Sequence, residues 1–131
     1  MDYLPERGFF MRYNRSESFR FVFSDPVDAS FSIVERSGKE VHTKQGKAVI
    51  MDISPSGLKL ISHLELPMEE QVILNITFTI RNEELELRGI PMWKKRSGSG
   101  FQYGIKSVND EILRERIVKE LKEYAQTRTK A

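Results

Sequence analysis

Val72-Ile-Leu-Asn-Ile-Thr-Phe-Thr-Ile80 decides the fold. Val72, Leu74, Ile76, Phe78 and Ile80 alternate without a miss with Ile73, Asn75, Thr77 and Thr79. A period of two belongs to a strand with one face on a core. Upstream, Leu58 and Leu60 alternate with Gly57, Lys59 and Ile61. Ala48 to Ile53 is nearly continuously apolar, the pattern of a strand covered on both faces. Phe19, Phe21 and Phe23 share one face and Arg20 and Val22 the other. Asp25-Pro26 ends or bends that strand, after which Ala29, Phe31 and Ile33 alternate with polar residues. Residues 35–46 read as a polar loop or edge.

Downstream, Arg81-Asn-Glu makes a turn and Leu85 and Leu87 open the next strand. After Gly89 the apolar positions change parity, to Ile90 and Met92, which predicts a β-bulge at that glycine. Trp93 is expected to pack in the core or at a barrel end. Ser97-Gly-Ser-Gly100 is a turn, and Phe101, Tyr103 and Ile105 form a last strand. Ser107 with Asp110 reads as a capping box opening a helix. Its apolar stripe would be Ile112, Leu113, Ile117, Val118 and Leu121. Six or seven strands joined by short turns cover their edges by curling into a barrel. The pattern therefore predicts a mainly β, antiparallel barrel with one C-terminal helix. Residues 1–18, broken by Pro5, Gly8 and Asn14, read as an irregular N-terminal arm; 19–131 reads as the single barrel-plus-helix domain.

Composition narrows the function. The 131 residues carry 21 Lys+Arg against 19 Asp+Glu, a net charge of +2, so a polybasic nucleic-acid coat is not expected. No cysteine is present, which removes disulfides, thiolate metal sites and thiol nucleophiles. The N-terminus lacks a basic start and an apolar stretch, and no run approaches a membrane span, so the expected location is the cytosol.

Catalytic chemistry finds no support. His42 and His63 have no ligand partner at helical spacing, no serine sits in a nucleophile elbow, and no phosphate-cradling loop is present. The expectation is a binding protein, not an enzyme, with no metal and no cofactor. Charge is distributed unevenly: residues 87–109 hold Arg88, Lys94, Lys95, Arg96 and Lys106 and no acid. The Lys94–Arg96 run alone reads as a solvated hairpin. The arm is more pointed, with Arg7, Arg12 and Arg15 and no lysine between. Arginine's planar fork grips phosphate or a guanine edge bidentately, which lysine does less well. Arg20 stands on the outer face at the start of a strand. Asp52-Ile-Ser-Pro-Ser-Gly57 is a turn that could aim a carboxylate, a hydroxyl and backbone N–H groups at one spot.

Together these pieces resemble the PilZ domain family. Its pattern is Arg-x-x-x-Arg before the first strand and Asp/Asn-x-Ser-x-x-Gly some thirty residues later. Asp52, Ser54 and Gly57 match the second motif, and Arg20 matches the second arginine. Leu87-Arg-Gly-Ile-Pro-Met-Trp93, Tyr103-Gly-Ile-Lys106 and Arg114 to Leu121 are similar to the family's late strands and helix, so the resemblance covers roughly 12–125. It implies a six-stranded antiparallel barrel and a bacterial receptor for cyclic di-GMP. Arg12, Arg15 and Arg20 would clamp phosphates and guanines, and Asp52, Ser54 and Gly57 would hold the other side of a base. The arm would wrap the barrel on binding and change the surface shown to a downstream protein; no nucleic acid or membrane partner is expected. One position departs: the first arginine of the pair should be residue 16, which is Ser16, and Arg15 is displaced by one. The alternative is a degenerate PilZ domain that acts as a protein adaptor without binding nucleotide.

Overall fold

The computed structural model describes residues 2–3, 9–12, 20–108 and 111–130, with side chains over 20–108 and 111–126. Nine strands precede one helix in these residues. They are β1 (Asp2–Tyr3), β2 (Phe9–Arg12), β3 (Arg20–Arg36), β4 (Lys39–Glu40) and β5 (Gly46–Ser54). β6 (Gly57–Ser62), β7 (Val72–Ile80), β8 (Glu83–Ser97), β9 (Gly100–Ser107) and α1 (Glu111–Lys130) follow. Six of the strands close a ring in the order β3-β5-β6-β9-β8-β7, and β7 returns to pair with β3. All pairings are antiparallel. The ring closes because Ala29, Ser30 and Phe31 of β3 pair with β5 on one edge and β7 on the other. Closure removes the exposed strand edges that an open sheet must guard.

The alternating residues of β7 all face the interior: Val72, Leu74, Ile76, Phe78 and Ile80 are buried. Phe21, Phe23, Phe31, Ile50, Ile53, Leu58, Leu60, Leu85, Leu87 and Tyr103 complete the core with them. Fully burying such a side chain is worth roughly 1.5–3 kcal/mol against leaving it in water. The β7–β8 hairpin turns on Arg81 and Asn82, both at positive φ (51° and 66°). Two successive positive φ angles are what a tight hairpin requires to match strand twist.

Four local expectations change. β3 runs on through Pro26, because its pairing with β5 skips from Val22 to Val27 and the proline's missing N–H falls in that gap. The late bulge lies between Pro91 and Trp93, not at Gly89. Gly89 is needed for space instead: a side chain there would collide with Ile105 and approach the Lys106 carbonyl oxygen to 2.9 Å. Ser107 belongs to β9, paired with Gly89, so it does not cap the helix; Asp110 lies outside the described residues. Of the apolar residues described in α1 only Ile117, Leu121 and Ala125 are buried, at four-residue spacing, with Glu120 beside them, while Ile112 is 75% exposed. In the arm, β1 pairs with β2, and β2 adds to the edge of β3.

The helix lies against the barrel through Tyr124, whose ring centroid is 5.6 Å from that of Phe21 and 6.0 Å from that of Phe23. Arg81 of the hairpin turn pairs with Glu123 and reaches Glu120 at 3.6 Å, and Arg116 reaches Glu83 at 3.3 Å. Among the described residues no helix is long and apolar enough to cross a membrane.

Candidate ligand-binding trough

The site is built across the outside of the ring. In one outward-facing row, register places Val22 opposite Asp52, Asp52 opposite Lys59, Lys59 opposite Gly104 and Gly104 opposite Trp93. In the row beside it Ser54 faces Gly57, Gly57 faces Lys106, and Lys106 faces Ile90. Arg20 stands at the β3 end of these rows. Two glycines on neighbouring strands leave the middle low, so the rows enclose a trough of about 620 Å³.

Neither glycine has free space beside it for a side chain. A Cβ on Gly57 would strike the Ile105 carbonyl oxygen, and one on Gly104 would strike the Trp93 indole. Gly57 has φ 159°, close to extended, so its need is space and not a left-handed turn. Trp93 lies over the bare backbone of Gly104 and remains 43% exposed. It is therefore a wall of the trough and not core packing. The bulge at Met92 accounts for this, since one inserted residue turns the following side chain outward.

Asp52 is the electrostatic centre. Arg20 Nη1 donates to its Oδ1 at 2.7 Å, and Lys59 Nζ lies 3.5 Å from its Oδ2. The Asp52 side chain is only 8% exposed, whereas that of Arg20 is 32% exposed. A carboxylate this deep must be paired, because an uncompensated buried charge costs several kcal/mol. One carboxylate thus serves two cations, and Lys106 adds a third at the trough's edge. The rim carries net positive charge around a planar, partly exposed guanidinium and an exposed indole. That set suits an anion with flat groups: arginine grips phosphate or a base edge, and an aromatic face stacks a base.

Ser54 acts on the turn itself. Its buried hydroxyl donates to the Gly57 carbonyl oxygen at 3.3 Å and lies 3.2 Å from the Ser56 hydroxyl. The Ser107 N–H donates to the Ser56 carbonyl at 2.8 Å, which ties the turn to the end of β9.

Arg20, Asp52, Ser54 and Gly57 are thus brought together. Arg12 stands opposite Arg20 in the β2–β3 register, and Arg15 lies outside the described residues. Lys59, Lys106 and Trp93 are the residues that sequence reasoning missed. The strand alternation already put Lys59 on the outer face next to the Asp-x-Ser-x-x-Gly turn; the parity of Ile90 and Met92 put Trp93 there too, but its apolar bulk argued for the core. The basic run is spent elsewhere. Lys94 Nζ donates to Glu65 at 2.7 Å, which holds that carboxylate below its ordinary range. Lys94 and Arg96 both lie over the Phe101 ring.

The comparisons with known proteins agree with this architecture. A family model described as PilZ domain matches residues 14–123. The chain is also similar to the crystal structure of the PilZ domain of CeSA from a cellulose synthesizing bacterium. The two are 18% identical, the match covers 80% of this chain and 99% of that one, and the TM-score is 0.57. At that identity the likeness carries the fold alone. Among curated proteins none matches.

Proposed function

The chain belongs to the PilZ domain family, generally a family of cyclic di-GMP receptors, and from that premise we propose that the trough binds cyclic di-GMP. PilZ domains are binding and receptor domains, so the output is a change of shape or partner and not a reaction. The observation that carries the reading is the Arg20–Asp52 pair beside the Ser54–Gly57 turn, set in a trough with an exposed indole. Cyclic di-GMP presents two phosphodiesters and two guanines. In this reading Arg20 grips a phosphate and a guanine edge, Asp52 aims the guanidinium, and Ser54 and Gly57 keep the turn low enough for the base to approach. Arg12, opposite Arg20, and Arg15 supply further positive charge from the arm. Binding closes the arm of residues 1–18, whose β2 already pairs with β3, further over the barrel of 19–131, and the altered surface recruits a protein partner.

The test is calorimetric titration with cyclic di-GMP, against cyclic di-AMP and GTP. The expected result is selective binding near ~1 μM, about −8 kcal/mol. Arg20→Ala should cost ~1.5–3 kcal/mol, the range for charge-assisted hydrogen bonds, or roughly a tenfold to hundredfold loss. Hydrogen exchange should show residues 1–18 more strongly protected with ligand than without it. Absence of both heat and thermal stabilisation at high nucleotide concentration overturns the reading. Ser16 in place of the first arginine of the pair favours one second reading, an adaptor that works through protein contacts alone. That same null result would select it.

A further inference from the structure

Asp52 divides its two oxygens between two cations. Oδ1 accepts from Arg20 Nη1 at 2.7 Å, whereas Oδ2 faces Lys59 Nζ at 3.5 Å. The cations come from opposite sides, because β5 lies between β3, which carries Arg20, and β6, which carries Lys59. We infer that Lys59 is a positioning residue for the nucleotide. By holding Oδ2 it keeps Arg20 on a single carboxylate oxygen, with the guanidinium presented to the trough. The inference rests on the reading of the trough as the nucleotide site, and it names what sets that site's main arginine.

The argument is one of competition for a buried acceptor. The Asp52 side chain is 8% exposed, and a carboxylate at that depth needs compensation on both oxygens. A guanidinium is shaped to close on a carboxylate as a fork, with two parallel N–H bonds to two oxygens. With Oδ2 held by Lys59, that fork cannot close on Asp52. Lysine suits the duty, because its ammonium is a compact point charge that compensates one oxygen without claiming the other. An arginine at this position would bring a second fork to the same carboxylate. Register keeps Lys59 in place, directly opposite Asp52 on one side and the side-chain-free Gly104 on the other. Lys106, the trough's third cation, stands in the neighbouring row opposite Gly57, so it is no substitute beside Asp52. Without Lys59, Oδ2 loses its cation. Arg20 then closes on both oxygens and turns away from the ligand. The rival role for an ammonium in this trough is direct contact with a phosphate, and the two roles differ in what Asp52 contributes.

Crystal structures of the ligand-free wild type, Lys59→Met and Lys59→Ala test the geometry. The wild type should keep one Asp52 oxygen on each cation. In both variants the two oxygens should lie within about 3 Å of Arg20 nitrogens. Titration with cyclic di-GMP tests the consequence. Lys59→Met should weaken binding about tenfold in the wild-type background and change nothing in an Asp52→Asn background. A lysine that touches phosphate directly would cost the same in both. Thermal unfolding checks that each variant is folded. The proposal falls if Arg20 stays on one oxygen in the lysine variants, or if the loss of affinity persists in Asp52→Asn. The structures need no nucleotide. A chain that binds no cyclic di-GMP therefore overturns the reading of the trough, while the position of Arg20 in the variants still decides what Lys59 does.

Discussion

β7 and the trough wall are built from the same kind of strand and differ in one respect. β7 keeps strict alternation over nine residues, and its pairing with β8 runs without a shift from Leu74–Gly89 to Ile80–Glu83. The trough wall is interrupted at three places. Register slips between Val22 and Val27, between Ile50 and Asp52, and between Pro91 and Trp93. Val22, Asp52 and Trp93 each flank one of these slips, and all three lie in a single row of the trough. A bulge inserts one residue and re-aims its neighbours. Regular pairing along β7 and β8 builds the core, and these three irregularities help to turn Val22, Asp52 and Trp93 onto the outside.

That contrast predicts different failures for the two walls. Ile76→Ala in the regular wall should produce the largest loss of stability. Ile76 is fully buried between Phe31 and Leu87 in register. Truncating a buried isoleucine typically costs ~2–5 kcal/mol. Chemical denaturation should show it, while the folded variant binds nucleotide as the wild type does. A variant that folds normally but loses binding would break the division between the two walls.

Gly104→Ala in the trough wall should do the reverse. The new methyl group meets the Trp93 indole, the movable partner of that contact, so the ring is lifted. Overpacking at such a contact costs ~1–3 kcal/mol, and the upper end is avoided because the indole can swing toward solvent. The expected signs are a red-shifted emission from the single tryptophan, a modest drop in stability and weaker nucleotide binding. Unchanged fluorescence would mean that Trp93 does not rest on Gly104 in solution.

The same division explains what the sequence could and could not disclose. Leu74, Ile76 and Phe78 announce their strand, because burial on one face imposes a period of two. The ring and the helix follow from repeating that reading. The Asp52–Gly57 turn was legible because its residue types each do something local. Bulges were harder to place. One extra residue reverses parity, but it leaves no residue type behind, so Gly89 drew the shift that belongs at Met92. Trp93 was expected in the core for its apolar bulk, although either placement of the shift turns it outward. Pro26 suggested a break because nothing local reveals that the strand has already lost its β5 partner there. The partnership of Lys59 with Asp52 depends on which two strands pair, and that is a property of the ring rather than of either segment.

The smallest effect concerns Tyr103, which sits on β9 directly before Gly104 and faces inward where its neighbour faces out. Its phenol donates to the Leu64 carbonyl at 2.8 Å and accepts from the Leu66 N–H at 2.8 Å, pinning the β6–β7 loop onto the core. Burial pushes its pKa above the ordinary value, because the phenolate would be poorly solvated there. The folded state therefore holds this proton to higher pH than the unfolded state does. Stability from the group is fully present below about pH 10, the unfolded value, and is lost as pH rises from there through the folded pKa. Tyr103→Phe removes both hydrogen bonds and should cost ~1 kcal/mol at neutral pH. Between wild type and variant that gap should narrow steadily above about pH 10, because only the wild type has a phenol to ionise on unfolding. A gap that stays constant into strong alkali would mean that the hydroxyl is open to solvent, and that the loop is held by Leu66 packing alone.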